Sequence, residues 1–212
     1  MAISTLFSDP PLFIIWVIAV VYGITVHEFA HVAAAYLMGD DTGKHLGRLT
    51  LNPVAHVDPV GLLMLMFAGF GWGKPAPFNP YNLKYRHWGP ALVALAGPLA
   101  NIISIIVFGL LLKYLRLTGV LDLGSLVGQL LLFLVFINFA LIIFNLIPIP
   151  PLDGSRVLFA VLPHQFDNAK YWLAKNGPMV LIGLVVVDSF FLQGAIFGRL
   201  FSTAFAAVGF LF

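Results

Sequence analysis

The chain has no cysteine. That excludes disulfides and thiolate chemistry, and it leaves histidine and carboxylate as the strong ligands for any metal centre. Charge is almost as scarce. Asp, Glu, Lys and Arg together make 9% of 212 residues, against 60% hydrophobic, and the mean hydropathy is +0.99. Such a composition excludes an ordinary soluble domain and describes an integral membrane protein, simplest as one domain over residues 1–212. The formal net charge of +2 provides no basic surface for nucleic acid, and none is expected as a partner. No Lys or Arg precedes Leu12, so the basic region of a cleaved signal peptide is missing. There is no internal repeat and no low-complexity tract. Glutamate occurs once, as Glu28.

That glutamate lies in the stretch the chain is organised around, Val26-His27-Glu28-Phe29-Ala30-His31, near the end of the first long apolar run. His27 and His31 are four apart, so a helix puts both imidazoles on one face, one turn apart. Two imidazoles at that spacing can bind one zinc ion, with the glutamate between them as general base. Two packing histidines are the plainer alternative. It is disfavoured, because ionisable groups inside an apolar span are costly and mark functional sites.

Taken in order, Leu12 to Met38 is long enough to cross a hydrocarbon core of about 30 Å. Thr42 to Pro59 is polar, with Arg48-Leu49-Thr50-Leu51 alternating like a short strand. Gly61 to Phe70 is apolar but too short to cross as a helix. It reads as a segment that dips in and returns, with protein covering its backbone. Lys74 to Pro80 carries three prolines and should be extended, a possible free edge for an unwound substrate. Pro90 to Leu112 is a second span. Its Asn101 is either an interhelical hydrogen-bonding group or a substrate contact. Leu126 to Ile147 is a third span and runs into Pro148, Pro150 and Pro151, which must break it. An unwound backbone at that depth belongs beside a cavity, and Asp153 lies within it as the candidate third metal ligand. Ser155 to Asn176 reads as a polar connection. Gly177 to Phe212 forms one or two C-terminal helices. His56 reads as a loop anchor, since three ligands already complete a zinc set. His45, His87 and His164 read as facing solvent, and Trp72, Trp88 and Trp172 as interfacial anchors.

The predicted fold is therefore an all-α polytopic membrane protein: a core of three transmembrane helices over about 12–154, a membrane-re-entrant region over about 42–88, and C-terminal helices over about 177–212. His27, His31 and Asp153 can share a metal only if 61–70 turns back without crossing. That arrangement places eight Lys and Arg on the inner side (Lys44, Arg48, Lys74, Lys84, Arg86, Arg156, Lys170, Lys175) against Lys113 and Arg116 outside. The imbalance predicts an outside N-terminus and a site near the cytoplasmic face.

With HEFAH, AGPLAN and NLIPIPPLDG in this order, the chain resembles the site-2 proteases, intramembrane zinc metalloproteases of family M50. It is most similar to compact bacterial and archaeal members without a PDZ or CBS domain. The resemblance runs from about Leu12 to Phe191. It implies one zinc ion per chain held by His27, His31 and Asp153, with Glu28 activating water. It implies Asn101 and Asn145 as substrate-positioning groups. Its implied setting is a prokaryotic cell membrane, and its implied substrate a membrane protein or peptide with a transmembrane segment. The alternative from another class is a non-hydrolytic zinc-binding transporter or scaffold; a transporter would tolerate Glu28→Gln at modest cost.

Overall fold

The computed structural model describes residues 8–68 and 71–211. Three long apolar helices form its core: α1 (Pro10–Leu37), α4 (Gly89–Leu117) and α5 (Leu126–Asn145). The shorter α2 (Thr42–His45) and α3 (Pro59–Ala68) lie between α1 and α4. After α5 come α6 (Asp153–Val161), α7 (Asp167–Phe190) and α8 (Ala195–Leu211). No strand occurs among the described residues; the nearest feature is a single antiparallel bridge between Val57 and Gly73.

Local chemistry fixes where the three spans start and stop. Asp9 caps α1, its carboxylate accepting from the Leu12 N–H at 3.0 Å, and Pro10-Pro11 occupy the first turn, where no N–H is missed. Ser125 caps α5 by accepting from Gly128 N–H at 3.2 Å. Pro148, Pro150 and Pro151 keep α5 from continuing. Helix α4 runs on to Leu117, further than its apolar stretch, and carries Lys113 and Arg116 in its last turns.

Side-chain contacts give the helix directions. Tyr22 meets Ser104, His27 meets Asn101 and His31 meets Val93, so α1 and α4 are antiparallel. Asn101 meets Asn138, Ile105 packs with Val135, and Leu112 shares a cluster with Leu131, so α4 and α5 are antiparallel too. Helices α1 and α5 therefore finish at the same end of the bundle, where α4 begins. The chain between α1 and α4 returns to its starting side.

That return is visible in the segment itself. Its ten-residue helix α3 is about 15 Å long, half a hydrocarbon core. Asp58 caps it through Val60 N–H at 2.8 Å and Gly61 N–H at 2.9 Å. Gly61 then packs against the Trp72 backbone, and the bridge from Val57 to Gly73 closes the excursion. A side chain at position 61 would collide with that backbone, so only glycine permits the approach. Phe70, the end of the expected segment, lies outside the described residues.

Two expectations are corrected. Arg48 to Leu51 is not strand-like; it bends, and the Arg48 guanidinium donates to the Lys74 carbonyl at 2.6 Å. The polar connection from Ser155 is largely helical, in α6 and the first turns of α7. Two C-terminal helices are present. Buried Asp188 on α7 accepts from Ile196 and Phe197 N–H at 2.7 and 3.1 Å, satisfying donors in the first turn of α8.

Candidate metal centre and its cavity

The three predicted ligands converge at the end of the bundle. Asp153 Oδ2 lies 3.0 Å from His27 Nε2 and 3.1 Å from His31 Nε2. All three residues are buried. They come from two elements: successive turns of α1, and the first residue of α6, where the helix N-terminus favours a carboxylate.

The protons on these imidazoles can be worked out from groups that only accept. The Leu134 carbonyl faces the Asn138 amide nitrogen at 2.7 Å, which leaves Asn138 Oδ1 to accept from Asn101 Nδ2 at 2.6 Å. Asn101 Nδ2 also faces the Gly23 carbonyl at 3.3 Å, so Asn101 Oδ1 is the atom turned to His27 Nδ1 at 2.6 Å. His27 therefore carries its proton on Nδ1. His31 Nδ1 donates to the Val93 carbonyl at 2.7 Å and must be protonated there as well. If both rings are neutral, two Nε2 lone pairs and a carboxylate oxygen point at one another.

Acceptors in that arrangement need a cation among them. A second proton on an imidazole is one answer and a metal ion is the other. Ligand atoms about 2.0–2.1 Å from a tetrahedral zinc lie roughly 3.3 Å apart, close to the separations seen here. The donor set, its spacing and its outer hydrogen bonds fit zinc. Gly97 on α4 lets that helix close over both rings. A Cβ there would sit 2.6 Å from His27 Cε1 and from His31 Cε1 and Nε2.

A polar cavity of about 240 Å³ opens beside this cluster. Glu28, Asn145, Trp72, Ala76 and Arg156 line it together with the three ligand candidates. Asn145 donates its amide to the Leu141 carbonyl at 3.0 Å. Asn101 is fully buried behind His27 and is not part of the lining, an arrangement that fits the interhelical alternative. An apolar cavity of about 380 Å³ adjoins and shares Ile24, Gly71, Trp72, Leu141 and Phe144 with the polar one. Gly73, Pro75 and Ala76, outside any helix, edge the polar cavity.

The remaining histidines lie elsewhere. His56 is fully buried, with Nε2 2.7 Å from the Thr50 carbonyl, and its own carbonyl accepts from Lys74 N–H at 2.7 Å, as a loop anchor would. His87 reaches the Ala160 carbonyl at 3.0 Å, and His164 pairs with Asp167 at 3.2 Å. Sequence reasoning passed over Asn138 and Arg156. Asn138, seven residues before Asn145 in an otherwise apolar run, was the available signal for the first. Arg156, three residues after Asp153 and so on the same helix face, was the signal for the second.

Comparison with known proteins points the same way. The model for peptidase family M50 matches residues 119–185. The chain is 39% identical over 150 residues to YwhC of Bacillus subtilis, a candidate zinc metalloprotease by name. That match covers 69% of this chain and 68% of the relative. It is 31% identical to Rip2 of Mycolicibacterium smegmatis, covering 84% of this chain and 68% of the relative. It is 31% identical to MJ0611 of Methanocaldococcus jannaschii, covering 74% and 78%. Both relatives bear the same description. No solved structure gives a significant match. The chain belongs to peptidase family M50, the site-2 protease family, and is a multi-pass membrane metalloprotease that uses zinc.

Proposed function

We propose that the chain hydrolyses peptide bonds within or near the transmembrane segments of membrane-protein substrates, with His27, His31 and Asp153 as zinc ligands and Glu28 as general base. The observation that carries this reading is the convergence of three ligand atoms and one further carboxylate on a single cavity at the end of a membrane-spanning bundle. Zinc, when bound, supplies a Lewis acid that polarises the scissile carbonyl and makes water acidic enough to ionise near neutral pH. The Glu28 carboxylate receives the proton and returns one to the leaving amine. Asn101 and Val93 hold the two imidazoles in the tautomer that presents Nε2. Asn145, on the cavity wall, positions the substrate in this reading. The apolar cavity is suited to the side chains of a membrane segment, and the polar one to its unwound backbone.

The discriminating variant is Glu28→Gln. A hydrolase loses nearly all cleavage of transmembrane-helix peptides while keeping about one zinc per chain by mass spectrometry. Retained cleavage would remove Glu28 as the general base, whereas zinc-linked transport unaffected by the change, with no cleavage even by wild type, favours the non-hydrolytic alternative. The orientation follows the distribution of positive charge, which supports an outside N-terminus and a cytoplasmic-side site in a prokaryotic membrane. Single cysteines at His45, Lys84 and Gln165 should then all react with an impermeant reagent from the cytoplasmic side. Labelling of any of them from the opposite face would overturn that orientation.

A further inference from the structure

Arg156 lies three residues beyond Asp153 on α6, and its side chain lines the polar cavity with Glu28 and the ligand candidates. Its guanidinium carbon stands 4.5 Å over the Phe78 ring, and Phe78 in turn packs on the Ala35, Leu83 and Val93 cluster. The aromatic ring thus covers one side of the guanidinium group. Among the described residues it makes no hydrogen bond and no ion pair, and neither Glu28 nor Asp153 comes within ion-pair distance. Burial draws its pKa down, while the Asp153 and Glu28 charges oppose that pull.

A guanidinium has five N–H donors and no acceptor capacity. Arg156 is half-buried, so water can serve these donors while the cavity is empty, and a substrate that displaces that water must bring acceptors of its own. Asn145, another polar donor at this wall, gives one of its two amide N–H groups to Leu141. Arg156 brings the guanidinium of the lining, with up to five N–H donors that bond no protein acceptor among the described residues. The matching ligand is a main-chain carbonyl oxygen, because an unwound substrate brings peptide acceptors that no longer have a helical partner.

Building on the protease reading, we propose that Arg156 is a catalytic residue that donates to the substrate carbonyl at the scissile bond as negative charge develops there. Donors aimed at developing charge affect the chemical step more than binding.

The test uses the full chain in detergent and a fluorescent transmembrane-helix peptide that wild type cleaves. Rate constants, zinc content and melting temperature are measured for wild type, Arg156→Gln and Arg156→Lys. The expected result for Arg156→Gln is a fall in kcat of about a hundredfold, KM within about twofold, and unchanged zinc and melting temperature. Arg156→Lys keeps charge but loses the planar fork, and should recover only in part, staying about tenfold below wild type. A kcat within twofold of wild type in either folded variant overturns the proposal. So does a loss that tracks zinc or melting temperature, which marks a structural prop. Wild type that holds zinc yet cleaves no peptide in the panel overturns the protease reading and this one with it.

Discussion

Two carboxylates, both buried, sit in opposite electrostatic settings. Asp40, just past α1, is surrounded by donors. Its Oδ1 accepts from Thr42 Oγ1 at 2.6 Å, Asn82 Nδ2 at 2.9 Å and Thr42 N–H at 3.3 Å, and its Oδ2 accepts from Asn79 N–H at 2.7 Å. Asp153 instead presents an oxygen to two imidazole nitrogens whose protons are committed elsewhere. A carboxylate saturated by protein donors ties a loop in place. A carboxylate facing acceptors is waiting for a cation. The difference separates a structural acid from a ligand acid without reference to either residue's exposure.

The sharpest way to break that contrast is to remove each acid and count metal. Asp153→Ala should lose most of its zinc and all measurable peptide cleavage, because a two-imidazole site binds zinc far more weakly than a three-ligand one. Asp40→Asn should keep about one zinc per chain. Mass spectrometry on the purified proteins decides the matter. Zinc retained in Asp153→Ala would place the third ligand elsewhere and dissolve the distinction.

A smaller effect is expected one shell out. Asn101→Ala takes away the acceptor that fixes His27 Nδ1 and leaves Asn138 Oδ1 without its donor. Zinc affinity should fall about 10–100-fold, and excess zinc should restore much of the cleavage. If Asn101 instead positions substrate, KM rises while zinc affinity stays constant. A chelator titration run beside the cleavage assay separates these outcomes.

How much of this could be read from the sequence varies by element. The histidine pair was legible because helical spacing alone puts positions 27 and 31 on one face. The three spans were legible because hydropathy needs no partner, and the break before Asp153 because proline dictates it locally. That α3 is too short to cross was legible from length against bilayer thickness. What escaped depends on registry between helices. Asn138 is one amide in an apolar run, a signal that acquires a meaning only when α4 places Asn101 opposite. The helical course of Asp167 to Asn176 was hidden because a polar segment carries no apolar signal. Arg48 to Leu51 misled because two alternations over four residues need a neighbouring strand, and the available partner, Lys74, takes the Arg48 guanidinium on its carbonyl.

The smallest expected effect concerns Asp40 alone. Burial raises its carboxyl pKa, but the donors from Thr42, Asn82 and Asn79 outweigh this and bring it below the ordinary value. A carboxylate with a depressed folded pKa contributes stability that is complete above its unfolded pKa of about 3.9 and is lost as pH falls through the folded value. Asp40→Asn turns an amide nitrogen or leaves a lone donor where Asn79 N–H or its neighbours need an acceptor, at a cost of about 1–3 kcal/mol. The melting temperature of Asp40→Asn should therefore lie below wild type by a constant interval from pH 7 down to about pH 4 and converge on it below that. Stability curves that run parallel through pH 3 would mean that Asp40 holds the loop through hydrogen bonds indifferent to its charge, and that the donor-saturated setting does not keep it ionised.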